Sequence, residues 1–440
     1  MTEVPARTTM QGLARTLLLL RDHVHPDVPD RNLAEALTRT RIAIVGDRPN
    51  LQVESAQHAF VTSALLAARS GASVHLVAPD LPLLGKHTPL RGDRLEAALL
   101  DALEDLIPEL HGAATLPAEE LDLAIIIGDT PWSGRARRVA RLQADAWSGG
   151  IVSGGGTRWC DHASPFGALA SAGLAAGEAF KAAVAQLRSS SLNVNAFDEL
   201  FAPTVEAIVR LAPAGTPAPS GDMGSFDCVS GGAIIQAALY ALCRIPGARG
   251  AVRVIEPEVA DLTNLNRYSL LRRSRSAVLK AVDLAEMGLA GLRIEPIPQR
   301  YDATFREQLG PPAPAVLVGV DDIPSRWEVQ AAAPFWLGVG ATTHYSAMAS
   351  YHVAGLGCAR CLHPRDEPGG GPIPTISFVS HWAGLWLASL FARERIGARP
   401  PVLQQSAYFT SLRADSSASL WLGPVAARSD CPFGCGGVPS

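Results

Sequence analysis

Ser230, Gly231 and Gly232 stand where a short apolar run beginning at Phe226 gives way to a helical pattern. A turn of this kind can bring backbone N–H groups to a phosphate with no Cβ in the way, although a plain tight turn has the same composition. Glu256 ends the next apolar run, 24 residues after Gly232 (256 − 232). An acidic side chain at that place meets ribose hydroxyls in nucleotide-binding strand–helix–strand units; a solvated strand-end carboxylate is the alternative. Near the C-terminal end, Cys358 and Cys361 pair with Cys431 and Cys435 to give the composition of a closed four-thiolate zinc site, which leaves no coordination position open for catalysis. A reactive dithiol at Cys358 and Cys361 is the competing chemistry.

Two halves of the chain must position these residues. Residues 210–225 hold three prolines and three glycines without an apolar period and read as a linker between a 1–209 domain and a 226–440 domain. In the first half, apolar runs at 42–46, 74–80, 123–129 and 150–154 read as buried parallel strands, separated by an Ala/Leu-rich helix and by an arginine-rich helix near 135–141. The second half repeats the order with runs at 226–232, 252–256, 315–321 and 335–340. The segment at 126–131 parallels that at 318–324, so the expected fold class is α/β, two tandem Rossmann-like doubly wound domains derived from one duplicated unit; two unrelated domains are the alternative.

At 440 residues, with 48% hydrophobic and 18% charged residues, the chain is long enough to bury a large core, and collagen, coiled-coil and disordered classes are excluded. A net charge of −4 provides no basic field for a nucleic-acid backbone, so none is expected as partner. Seven cysteines are too few and too odd in number for a secreted disulfide framework, which points to a reducing cytoplasm. The apolar run 17–20 is too short for a signal or a membrane span, and no membrane association is expected. Only Lys86, Lys181 and Lys280 are lysines among 38 basic residues, which makes each of them informative.

The segment from Glu256 through Asp261, Asn264, Leu265, Asn266 and Arg267 to Tyr268, followed by Lys280, resembles the signature of the ThiF, MoeB and HesA superfamily, bacterial relatives of ubiquitin-activating enzymes. The intervals of 11 (267 − 256) and 13 (280 − 267) match that signature, and Asp321, Asp322 and Arg326 resemble a second family segment. The resemblance runs from about Phe226 to the C-terminus and more faintly through 40–185.

It implies ATP-dependent adenylation of a carboxylate, on a protein or peptide C-terminus. Gly231, Gly232, Glu256 and Asn264 would bind nucleotide, Arg267 and Lys280 would stabilise phosphate charge, and Asp321 would hold Mg²⁺. Family relatives carry a matching pair of cysteine knuckles that pins the tail, which implies Zn²⁺. They also work as pairs in which a second unit lends an arginine to the phosphates; Arg21 lies about where that arginine would be, with Arg31 and Arg41 as rivals. A monomeric pseudo-dimer or a homodimer would meet that need.

Tyr268 replaces the usual glutamine, Val229 and Ile234 replace loop glycines, and the second knuckle is one residue wider (435 − 431 = 4). Residues 364–380 hold no cysteine for a thioester, whereas the corresponding region of the first half holds Cys160, which reads as a thioester candidate or a buried structural cysteine. The first half lacks the glycine pair and the 264–267 motif and reads as an inactive copy. An NAD-dependent oxidoreductase would account for the Rossmann pattern but not for Lys280, Asp321 or the knuckles, and a non-catalytic peptide-binding pseudoenzyme is the third reading.

Overall fold

The computed structural model describes residues 3–106, 112–365 and 373–435, with side chains from residue 8 onward. Its first sheet is built from β1 (Arg41–Val45), β2 (Ser73–Val77), β3 (Leu123–Ile127), β4 (Val139–Ala144), β5 (Ser148–Val152) and β6 (Ala207–Arg210) in the order 2-1-3-4-5-6. β1 to β4 are parallel, and β5 and β6 run antiparallel at one side. The second sheet comprises β7 (Asp222–Val229), β8 (Arg249–Ile255), β9 (Gly291–Ile297), β10 (Ala315–Val318), β11 (Trp336–Thr343), β12 (Ser346–His352), β13 (Ser406–Thr410) and β14 (Leu420–Gly423). Its order is 14-13-12-11-10-7-8-9, with β7 to β11 parallel and the last three antiparallel. Both sheets are doubly wound α/β sheets with the same sequence of parallel and antiparallel neighbours; the second adds one strand at each edge.

Two local expectations give way. The arginine-rich segment near 135–141 is not helical: Val139–Ala144 is β4, where Ala140 and Leu142 are buried between more exposed neighbours with the period of two that a strand requires. The run at 150–154 belongs to β5, which is antiparallel rather than parallel, because Asp145 accepts the N–H groups of Trp147 and Ser148 and folds the chain back in a tight turn. Of the expected linker, Arg210 closes β6 and Asp222–Ser225 already form the start of β7.

The helices Glu54–Arg69, Phe166–Val184, Ala233–Leu242 and Ser377–Arg395 pack on one another between the sheets and share one core. Phe166–Val184 is buried at all 19 positions. Among the described residues, the helical region Phe166–Ser190 is the one long and apolar enough to cross a membrane, and 94% of its most apolar window is buried inside this core. Gly173 lets it approach Ser377–Arg395 closely, since a Cβ there would stand 2.9 Å from the Trp382 ring.

The register of the second sheet sets the site. Val229 pairs with both Val318 and Ile255, so β7, β8 and β10 end level. The chain leaves β7 toward β8 on one side and returns through β10 on the other. That is a topological switch point, the place where open α/β sheets bind ligands outside the carboxyl ends of their strands.

Candidate functional site

A crevice of about 270 Å³ opens at this switch point, lined by Ser230 and Gly232 after β7, Glu256 and Glu258 after β8, and Val320, Asp321 and Asp322 after β10. Arg267, Tyr268 and Lys280 come in from the segment after β8, and Arg15 from the helix Glu3–Arg21.

At the bottom, Ser230 takes a φ of 113° and its hydroxyl oxygen accepts the Gly232 N–H at 2.8 Å. The Gly231 N–H donates to Glu256 Oε2 at 2.7 Å, and the Glu258 N–H donates to Oε1 at 3.0 Å. Space at Gly231 is tight: a Cβ there would lie 3.0 Å from Glu256 Cγ and 3.2 Å from Lys280 Cβ, so both side chains would have to give way by a few tenths of an ångström. Glu256 is thereby fixed in place, with lone pairs left over for a ligand hydroxyl.

Asn264 does not line the crevice. Its Oδ1 accepts the Asp261 N–H at 2.9 Å while Asp261 accepts that of Thr263, a reciprocal cap that shapes the turn carrying Arg267. The Arg267 guanidinium donates to Thr263 O at 2.5 Å and to Asn266 Oδ1 at 3.0 Å. Burial lowers its pKa from the usual arginine value, Tyr268 and Asp321 oppose that, and Arg15 adds to it, so these charges converge on one space. Asn266, which is fully buried, donates to Thr16 Oγ1 at 3.0 Å and to Thr375 O at 2.9 Å, joining the N-terminal helix, the arginine turn and the chain leading into Ser377–Arg395.

Lys280 is 4% exposed, opens the helix Lys280–Glu286 and pairs with Glu258. Burial alone would lower its ammonium pKa, but Tyr268, Glu256 and Glu258 outweigh burial and raise it, so it stays charged at neutral pH. Asp321 is exposed, and its neighbour Asp322 is the residue that caps the helix Ile323–Ala331, accepting the Ser325 N–H at 2.9 Å. Asp321 is therefore free for other work. Arg326 donates twice to Val320 O, at 3.1 and 2.7 Å, and steadies the turn that presents it.

Arg21 is not in this crevice. Its guanidinium is held by Asp30, at 2.9 Å from Nε, and by Val28 O, while Arg41 pairs with Glu119 at 2.8 Å. The arginine of the N-terminal helix that reaches the crevice is Arg15, whose buried Nη1 has no hydrogen-bond partner. The only sequence cue to it was the helical pattern through the 17–20 run, on which Arg15 and Arg21 lie six residues apart and point in different directions. In the first sheet, the equivalent position beyond β1 and β3 holds a network around the buried Asn50. Asn50 donates to Asp47, Asp129 and Thr130 and accepts the Trp159 N–H at 2.7 Å.

The sulfurs of Cys358, Cys361, Cys431 and Cys435 lie within 4.8 Å of one another, with three contacts of 3.4–3.7 Å. Four thiolates at zinc–sulfur distance form a tetrahedron with edges of about 3.8 Å, which this cluster fits. Gly434, at φ 72°, absorbs the extra residue of the second knuckle. The first knuckle sits on the helix Ile323–Ala331: the Ala359 N–H donates to Gln330 at 3.0 Å, Trp327 Nε1 donates to His363 O at 2.9 Å, and Arg360 lies 4.2 Å over the Trp327 ring. Cys160 is exposed rather than buried.

Residues 41–193 match the BilD N-terminal domain family. An uncharacterized protein, y4jF of Sinorhizobium fredii, is 28% identical over 204 residues, 45% of this chain; the chain thus spans 38% of that relative's length. The crystal structure of E. coli MccB with selenomethionine MccA superposes at a TM-score of 0.40 and 14% identity, covering 68% of this chain and 98% of that one. The crystal structure of E. coli MccB alone gives 0.39 and 14%, covering 68% and 95%.

Proposed function

We propose that the crevice binds ATP with Mg²⁺ and adenylates a carboxylate at the C-terminus of a peptide or small carrier protein. The observation that carries this reading is the convergence of Arg15, Arg267, Lys280 and Asp321, drawn from four separate segments, on the switch point of one sheet. A buried lysine and two half-buried arginines facing a free carboxylate suit a triphosphate with its metal better than the diphosphate of NAD.

Glu256 holds the ribose, and the turn at Ser230–Gly232 brings backbone close to the phosphates. Mg²⁺, where bound, would be held by Asp321 and would neutralise phosphate oxygens. A carboxylate oxygen of the substrate attacks the α-phosphorus; the bond from that phosphorus to the α–β bridging oxygen breaks, and its electron pair leaves with pyrophosphate. Arg267, Lys280 and Arg15 lie where this negative charge builds up and would lower its cost without reorganising. The first half acts as a non-catalytic partner that supplies Arg15 and supports the motif segment: the fully buried Arg69 donates to the carbonyls of Leu265, Ser269 and Leu271 at 2.8, 3.2 and 2.7 Å. The four-cysteine cluster holds a structural Zn²⁺. The fold is then a pseudo-dimer within one chain.

The test is exchange of labelled pyrophosphate into ATP, dependent on an added carboxylate, screened over peptides and small proteins with unhindered C-termini. Exchange dependent on one such carboxylate is expected. Tight NAD binding with no binding of ATP would reverse the assignment in favour of a dehydrogenase.

A further inference from the structure

We infer that Glu258 is an exchangeable counter-ion for Lys280, which competes with phosphate for the lysine and speeds departure of pyrophosphate. This rests on the proposed ATP site and concerns how that site is regulated from within.

Lys280 is buried and charged, and a buried ammonium requires an anion close by. Two carboxylates are near. Glu256 is 6% exposed and fixed by the N–H groups of Gly231 and Glu258, so it cannot follow a ligand in or out. Glu258 is built differently. Its backbone is locked across from the lysine, the Lys280 N–H donating to Glu258 O at 3.0 Å beside a Val259–Leu279 bridge. Its side chain is 70% exposed and ends on Lys280 Nζ, whose own side chain is 5% exposed. An exposed carboxylate gives up an ion pair at little cost, because water solvates it on leaving. It also lines the crevice, so a triphosphate approaching Lys280 meets a negative charge that must swing away.

Glu258 therefore weakens binding of every phosphate ligand that uses Lys280, and the same contact re-forms as pyrophosphate leaves. Lys280 passes from one anion to another without being left uncompensated in the interior.

The test uses the full-length chain with pyrophosphate and Mg²⁺ in calorimetric titrations of wild type, Glu258→Gln, Lys280→Met and the double variant. Glu258→Gln keeps the shape and removes the charge at an exposed side chain, so folding is unaffected. The expected result is about ten-fold tighter pyrophosphate binding in Glu258→Gln, the size of one nearby charge at partial screening, and loss of that gain in the Lys280→Met background. An unchanged or weaker affinity in Glu258→Gln overturns the inference, as does an equal gain without Lys280, which would mean bulk charge rather than exchange. Wild type that binds ATP and pyrophosphate without the Glu258 effect sinks this inference alone. Wild type that binds neither removes the proposed ATP site, and this inference falls with it.

Discussion

Lys280 and Arg267 occupy positions that a purely structural role does not require. Lys280 is buried and Arg267 half-buried beside Tyr268, with ring distances of 5.5 and 5.3 Å, and each faces the crevice. In the proposed adenylation, replacing Lys280, Arg267 or Asp321 by alanine would remove a charge that acts in the transition state, so carboxylate-dependent exchange should fall about 10² to 10³-fold with the fold intact. Near-wild-type rates in all three variants would place the chemistry elsewhere. Arg267 and Lys280 were legible through the resemblance of their types and intervals from Glu256 to a family signature, because that signature lies in one stretch between β8 and the helix Lys280–Glu286 and is local in sequence; Asp321 was legible only through a second, separate segment. Arg15 was not legible. It joins the site through packing of a helix 250 residues away from Asn266, and nothing in its neighbours' types announces that contact.

Among the elements, the parallel strands β1, β3 and β10 are buried almost throughout, as is the end of β7 from Phe226 to Val229, and they could be read directly. The antiparallel additions were harder. β12 is buried at six of seven positions and β14 is mostly exposed, so neither shows the alternation that marks a half-buried strand, and β4 carries arginine at a partly exposed position that mimics a helix surface. The knuckles were visible as cysteines, but their seat on the helix Ile323–Ala331 was not. That seat ties the cysteine cluster to the helix following Asp321. Cys431→Ser should lower bound zinc from one per chain to nearly none and reduce the melting temperature, measured by metal analysis and calorimetry. Unchanged zinc content and melting in that variant would show that the four thiols hold no structural ion.

Across the whole molecule, the seam between the halves is where titration and function meet. The His87 ring, from the first half, lies tilted with its centroid 4.7 Å from that of His58 and is near Arg244 of the second; burial, followed by Arg244, lowers its pKa to about 3. Burial lowers His381 and His352 to about 4. A histidine whose folded pKa is depressed binds more protons when unfolded, so its contribution is present above the unfolded value near 6.5 and is lost as pH falls below it. Each should remove about 2 kcal/mol of stability between pH 6.5 and 5. Denaturant midpoints across that range should fall steeply, and a flat profile would contradict the burial of these rings. The same seam carries Arg15 into the second half's crevice, so the two halves should make one nucleotide site per chain. Calorimetric titration of ATP with Mg²⁺ into wild type and Arg15→Ala tests this most directly. One ATP per chain, with affinity about ten- to a hundred-fold weaker in Arg15→Ala, is the predicted result, the size of a lost hydrogen bond to a charged group; two sites per chain, or an affinity indifferent to Arg15, would contradict it.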